Sequence, residues 1–292
     1  MNKFLKKCGL FTLVIIILNI IYLVVLTLYS PGFKKVYEIS KFENKNYQLV
    51  VLGNSMALDG IDTGYLSKKG INSFNLAIAG DHIATSQMIL ERYLKNNSKP
   101  KYVVIGISSA IGNAFLNKVS FKNPEVEFFY NPELKATIIN PPLLNFQWLF
   151  VDLLKIIISK DHREATLTRG QWKTQKVIAD NSKFKEHIQV PIDYKNPHLL
   201  KIVELCENQN IKLIITELPG SNNNRNSLPF QYDATLLNNK KVKIYNLNNN
   251  EVSSRILDPS KDWLAPDHLN KFGAEKVTAY LYENVIKKQY QK

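Results

Sequence analysis

Three short stretches of this 292-residue chain carry side chains suited to chemistry. Gly53-Asn54-Ser55 closes one apolar run. Asn75 to Asp81 closes a second and contains Gly80. Pro266-Asp267-His268-Leu269-Asn270 opens onto a helical pattern that contains Gly273. A serine hydroxyl is a poor nucleophile until a base takes its proton, and His268 is the histidine placed to do so. A glycine lets a bare backbone N–H approach a developing oxyanion, a role open to Gly80. Taken in the order Ser, Gly, His, the stretches read as a layout for acyl transfer. Ser55 is the candidate nucleophile, His268 the base, and the N–H groups of Ser55 and Gly80 the oxyanion donors.

Such a layout needs strands that end together. Continuous apolar runs at 48–53, 71–80, 101–108, 211–220 and 241–247 read as strands buried on both faces. Helical periodicity lies between and after them, at 82–97, 197–209 and 271–287. Strand–helix alternation predicts an α/β fold: a three-layer α/β/α sandwich around a mainly parallel, five-stranded sheet. In open parallel sheets ligands bind beyond the carboxyl ends of the strands, where the three stretches fall. About 109–196 reads as an insertion, too long for an ordinary connection. Within it, 143–158 is predicted as one amphipathic helix, with Asn145, Asp152, Lys155 and Ser159 on a narrow polar face. Core helix is its simplest role; a lid or an interfacial helix is the sharper one.

Residues 9–29 are 21 uncharged, mostly apolar residues, interrupted by Asn19. At 1.5 Å per residue they span roughly 30 Å, the hydrocarbon thickness of a bilayer. The run is longer than the core of a cleaved signal peptide and lacks a small-x-small site, so an uncleaved anchor over 1–30 is expected, followed by a domain over 31–292. Lys3, Lys6 and Lys7 precede the run, which favours a cytoplasmic N-terminus and an extracytoplasmic C-terminal domain.

Formal charge is +13, from 38 Lys+Arg against 25 Asp+Glu. The lysines are scattered, and outside the cytoplasm the charge fits a phospholipid surface or an acidic glycopolymer better than nucleic acid. Two cysteines, Cys8 and Cys206, exclude a disulfide scaffold and a cysteine-rich zinc site. HExxH, GxGxxG and the P-loop pattern are absent, so neither a metal nor a nucleotide cofactor is expected. His82, and Arg169 with Trp172, would suit substrate or sugar contacts, although packing explains them more simply.

At these residues the sequence resembles the SGNH (GDSL-like) hydrolase superfamily. Gly53-Asn54-Ser55 is similar to its first block, Ala79-Gly80-Asp81 to its second, and Asp267-His268-Leu269-Asn270 with Gly273 to its last. The resemblance covers roughly 47–110 and 200–290. It is closest to membrane-anchored bacterial members associated with acylation of cell-surface polysaccharide or teichoic acid. It implies a serine esterase or O-acyltransferase acting on a cell-envelope glycopolymer, with a membrane-bound acyltransferase as a potential partner. Two positions depart from the pattern. Where the third block normally supplies an oxyanion-hole Asn, this chain has Gly106-Ile107-Ser108-Ser109, so Ser108 either donates a hydroxyl or the hole has two donors. Three residues before the His, where the acid usually stands, is Ala265. Asp267, adjacent to His268, and Asp262, six before it, are the carboxylates at hand. Asp267 is the candidate acid, with helix capping as its other role. A Ser–His dyad held by a backbone carbonyl is the alternative, and so is a catalytically silent module that binds glycan or a partner.

Overall fold

The computed structural model describes residues 2–107, 123–130, 141–159, 166–177, 192–220, 225–265 and 267–290. In chain order its main elements begin with α1 (Asn2–Tyr29), α2 (Pro31–Ser40), β1 (Leu49–Gly53), α3 (Ser55–Gly60), α4 (Thr63–Lys68), β2 (Ser73–Asn75), α5 (Ile83–Asn96) and β3 (Tyr102–Ile107). Then come α6 (Pro124–Tyr130), α7 (Pro142–Asn145), α8 (Trp148–Ser159), β4 (Thr166–Thr168), β5 (Gln171–Lys173), α9 (Pro197–Asn208) and β6 (Lys212–Glu217). The last are β7 (Gln231–Thr235), β8 (Lys241–Asn246), α10 (Asn250–Ile256), β9 (Trp263–Ala265), β10 (His268–Leu269) and α11 (Lys271–Leu281). They gather into two compact units, one of residues 1–41 with 124–163 and one of 42–123 with 164–292. The expected anchor belongs to the first unit, and the expected insertion contributes to both.

The second unit is α/β. Its sheet has six strands in the order β2-β1-β3-β6-β8-β7, all neighbours parallel except the last pair. The five runs read from the sequence each supply one strand. The sixth, β7, corrects the expected count. QYDAT has no apolar run, and Ala234 is its one buried residue. An antiparallel edge strand needs no two-sided burial, so nothing in its hydropathy announces it. Both faces of the central strands are covered: every residue of β1 and β3 is buried. Leu49, Val51, Tyr102, Val104 and Ile214 share one core cluster with Met56, Leu66, Val277 and Leu281, from α3, α4 and α11. The alternate residues Val50, Leu52, Val103 and Ile105 are buried on the other face. Among the parallel strands, β1 sits between β2 and β3: the chain steps outward from β1 to β2 and then crosses back past β1 to β3, so the winding reverses there. That switch point is where an open parallel sheet receives ligands.

Glycine brings α3 down onto this edge. Gly53 and Gly106 are register partners on β1 and β3. A Cβ on Gly53 would lie 2.6 Å from both the Ala57 Cβ and the Gly106 carbonyl oxygen, and one on Gly106 would lie 2.7 Å from the Ala57 Cβ. Gly53 also has φ +141°, a conformation that L side chains rarely adopt. Gly53→Ala is expected to lower unfolding stability by about 1–3 kcal/mol in chemical denaturation. An unchanged midpoint would show that α3 can shift freely.

The first unit is helical. Asn19, Tyr22 and Leu26 form a buried stripe on the otherwise exposed α1. Tyr22, Leu26, Phe33, Phe128, Phe146 and Leu153 make its core. Phe33 meets Phe129 and Phe146 edge-on, with ring centroids 5.0 and 5.1 Å apart. The single helix expected over 143–158 is two, α7 and α8, broken around Phe146 and Gln147. At the break the Phe146 ring turns into the core, and its carbonyl accepts both the Leu149 N–H at 3.0 Å and the Tyr22 hydroxyl at 2.7 Å. The side chains of the expected polar face, Asn145, Asp152, Lys155 and Ser159, lie outside the described residues.

Candidate active site

Ser55 is the first residue of α3. Asn54 caps the helix, its Oδ1 accepting the Met56 N–H at 3.1 Å. A residue at that position has a backbone N–H with no acceptor inside the helix, so the Ser55 N–H is available to an oxyanion. The α3 backbone is held from outside by side chains. Asn75, fully buried at the end of β2, donates through Nδ2 to the carbonyls of Ala57 and Ile61 at 2.8 and 3.3 Å. Gln171, fully buried on β5, donates to the Asp59 carbonyl at 3.0 Å.

His268 arrives from far along the chain. Its Nε2 lies 2.9 Å from the Ser55 Oγ, across 213 residues of sequence. In the tautomer where Nε2 accepts, the hydroxyl donates to it and the ring proton sits on Nδ1. Asn270 fixes the backbone two residues after His268. Its Oδ1 accepts from the N–H groups of Phe272 and Gly273, capping α11, while its Nδ2 donates to the Lys261 carbonyl at 2.6 Å. The side chain of Leu269 is buried in the core beside Gly60. The run His-Leu-Asn-x-x-Gly thus supplies the imidazole beside Ser55, an apolar anchor and a cap, with Gly273 giving room to the Asp262 carbonyl, which would stand 2.4 Å from a Cβ there.

Burial pulls the His268 imidazole below its ordinary pKa, and the adjacent Asp267 carboxylate opposes that fall. Desolvation disfavours the imidazolium, whereas a neighbouring negative charge favours it. Burial thus favours the neutral imidazole, and the Asp267 charge favours the imidazolium. Asp267 is 5% exposed. Removing its charge by Asp267→Asn lowers the His268 pKa further. The acid limb of the pH profile for serine labelling is therefore expected to move to lower pH, with the plateau rate falling roughly tenfold for about 1.4 kcal/mol of lost cation stabilisation. A limb that stays or moves up would remove Asp267 from the site.

The structure brings Ser55 and His268 together, with Asp267 next to His268 in the chain and acting on it electrostatically. Gly80 lies on the segment that continues past β2, where the Ile78 N–H donates to the Gly53 carbonyl at 3.0 Å. Gly80 itself is exposed and has φ +70°. Ser108 lies outside the described residues. Asp262 is used elsewhere: its Oδ2 accepts from Lys276 Nζ at 2.6 Å and from the Asp258 N–H at 2.7 Å. Ala265 is the register partner of His268 across the β9–β10 hairpin. Arg169 is engaged by the carbonyl of Ser73 and by Asn72, and Trp172 packs on the core. His82 is buried just before α5. The positioning amides Asn75 and Gln171 escaped the sequence reading. The signal for Asn75 was an amide inside an apolar strand pattern, one it shares with Asn72; Gln171 had none, since its partner is 112 residues away. Among the described residues no group of three or more His, Cys, Asp or Glu side chains is placed to hold a metal ion. No protein-family model matches the chain, and no curated protein is significantly similar to it.

Proposed function

We propose that this chain is a membrane-anchored serine esterase or O-acyltransferase acting on acyl esters of a cell-envelope glycopolymer, of the SGNH-like kind. The observation that carries the reading is the 2.9 Å contact between Ser55 Oγ and His268 Nε2 at the switch point of the sheet. Ser55 Oγ attacks the acyl carbonyl carbon as His268 takes its proton. The carbonyl oxygen becomes an oxyanion held by the Ser55 and Gly80 N–H groups. Collapse of the intermediate breaks the ester bond, and His268 returns the proton to the leaving alcohol. Water, or a sugar hydroxyl, then gives its proton to His268 as it attacks the acyl carbon; the bond to Ser55 Oγ breaks, and His268 returns the proton to that oxygen. Water makes the chain an esterase; a sugar hydroxyl makes it a transferase. The apolar helix α1 is long enough to cross a membrane. With Lys3, Lys6 and Lys7 on the cytoplasmic side, the α/β unit would face the envelope.

A fluorophosphonate probe tests the activated serine directly. Incubated with the full chain in detergent and read by peptide mass spectrometry, it is expected to modify Ser55. A folded chain that takes no label at Ser55 would overturn the enzyme reading. One observation favours the silent glycan- or partner-binding module instead: the residue facing His268 across the hairpin is Ala265, which brings no carboxylate to the ring.

A further inference from the structure

The first unit contains a surface that a simple anchor does not need. Within the apolar run 9–29, Asn19 stands at the centre, ten residues from Tyr29 or about 15 Å along the helix. That is half the roughly 30 Å of a bilayer's hydrocarbon core. Asn19 Nδ2 donates to the Ile15 carbonyl, and its Oδ1 accepts the backbone N–H of Leu143 at 2.9 Å. One turn further along, Tyr22 donates its hydroxyl to the Phe146 carbonyl at 2.7 Å. Residues 143–146 are therefore fastened to α1 at the depth of its middle.

The first turn of α7 is closed to water. Pro142 has no N–H, Leu143 gives its own to Asn19, and Leu144 gives its own to the Pro141 carbonyl at 2.9 Å. Hydrocarbon tolerates a helix end only when its backbone donors are satisfied internally. Most of the described outward side chains suit the same solvent: Leu144, Trp148, Phe150, Val151 and Leu154 are 61, 48, 48, 55 and 41% exposed, with Gln147 the exposed polar residue among them. Beside them, α1, α2 and α6 enclose an apolar groove of about 370 Å³ that includes Leu23, Val24, Phe33 and Phe129.

We infer that α7 and α8 lie within the hydrocarbon of the bilayer, packed on α1, with lipid acyl chains covering the exposed face of α8. The first unit is then a membrane-embedded helical module, and Asn19, the polar residue at the centre of the span, is there to dock α7. This inference rests on α1 being a membrane span.

Spin labelling of the full chain tests it, in a Cys8→Ser background with the buried Cys206 left in place. Val151→Cys, Ile21→Cys on the exposed side of α1, and Asp233→Cys on the exposed edge strand β7 are each labelled with a nitroxide and reconstituted in phosphatidylcholine vesicles. Collision rates with oxygen and with a water-soluble nickel chelate are then measured. The expected result is a label at Val151 that behaves as the one at Ile21. It should meet oxygen freely and meet nickel roughly tenfold less than the label at Asp233, as apolar depth requires. Phe150→Cys should repeat it. Nickel access at Val151 with Ile21 protected overturns the inference and leaves the span intact. Protection from both reagents means that protein, such as a second copy, covers α8, and also overturns it. Nickel access at Ile21 overturns the span and the inference together.

Discussion

Ser55→Ala abolishes fluorophosphonate labelling and lowers ester turnover by roughly 10³-fold or more, because the acyl group then has no covalent station in the site. His268→Ala produces a loss of the same order, since the hydroxyl keeps its proton. The double variant is little worse than either single one, because the pair acts as a unit. Stability separates this outcome from misfolding. Ser55 is only half-buried and its Oγ meets His268, so removing one oxygen should leave the unfolding midpoint within about 0.5 kcal/mol of the parent. Labelling that persists at another serine in Ser55→Ala, or turnover that survives it, places the chemistry elsewhere. Neither substitution touches the Asn54 cap or the glycine pair beneath α3, so a loss at an unchanged unfolding midpoint belongs to the nucleophile or to its base.

Much of this site was legible because strand ends are. β1 and β3 are continuous apolar runs, buried on both faces, and such runs announce themselves in hydropathy. Once they are placed, the residues just past their carboxyl ends are candidates by position, and Ser55 and His268 are candidates by chemistry. Other features depended on pairing, which leaves no trace in composition. The strand β7 is half-exposed and gives no periodic signal. The break between α7 and α8 follows from Phe146 turning into a core built with Tyr22 and Phe33, a contact between segments more than a hundred residues apart. The same tie explains why part of the expected insertion joins the anchor. Asn19 could be recognised as an anomaly in an apolar span, but not as the acceptor for Leu143. Gln171 supports α3 from the expected insertion, through a carbonyl that no side-chain pattern encodes.

The register of the last hairpin turns an absence in the sequence into a design. Ala265 is the direct antiparallel partner of His268. Directly opposed side chains share a face, with Cβ atoms about 4.5–5.5 Å apart. A carboxylate carried at 265 would thus reach the imidazole, while Ser55 holds Nε2. Ala265 is half-buried. Ala265→Asp is therefore expected to raise turnover by roughly 10² or more, through the stronger stabilisation that a hydrogen-bonded carboxylate gives an imidazolium than a field from the neighbouring residue does. The sign of the pH effect is opposite to that of Asp267→Asn. A carboxylate at 265 favours the cation, raises the His268 pKa and moves the acid limb of the rate profile to higher pH. Adding Asp267→Asn to Ala265→Asp should leave most of the gain in place, since the new carboxylate takes over its role; the double-mutant cycle measures how far the two overlap. Turnover that is unchanged or lower, with the limb unmoved, would mean that the hairpin does not present residue 265 to the ring. If the parent chain is silent and Ala265→Asp alone makes it turn over ester, then the alanine is what silences the site, and the rest of the machinery is intact.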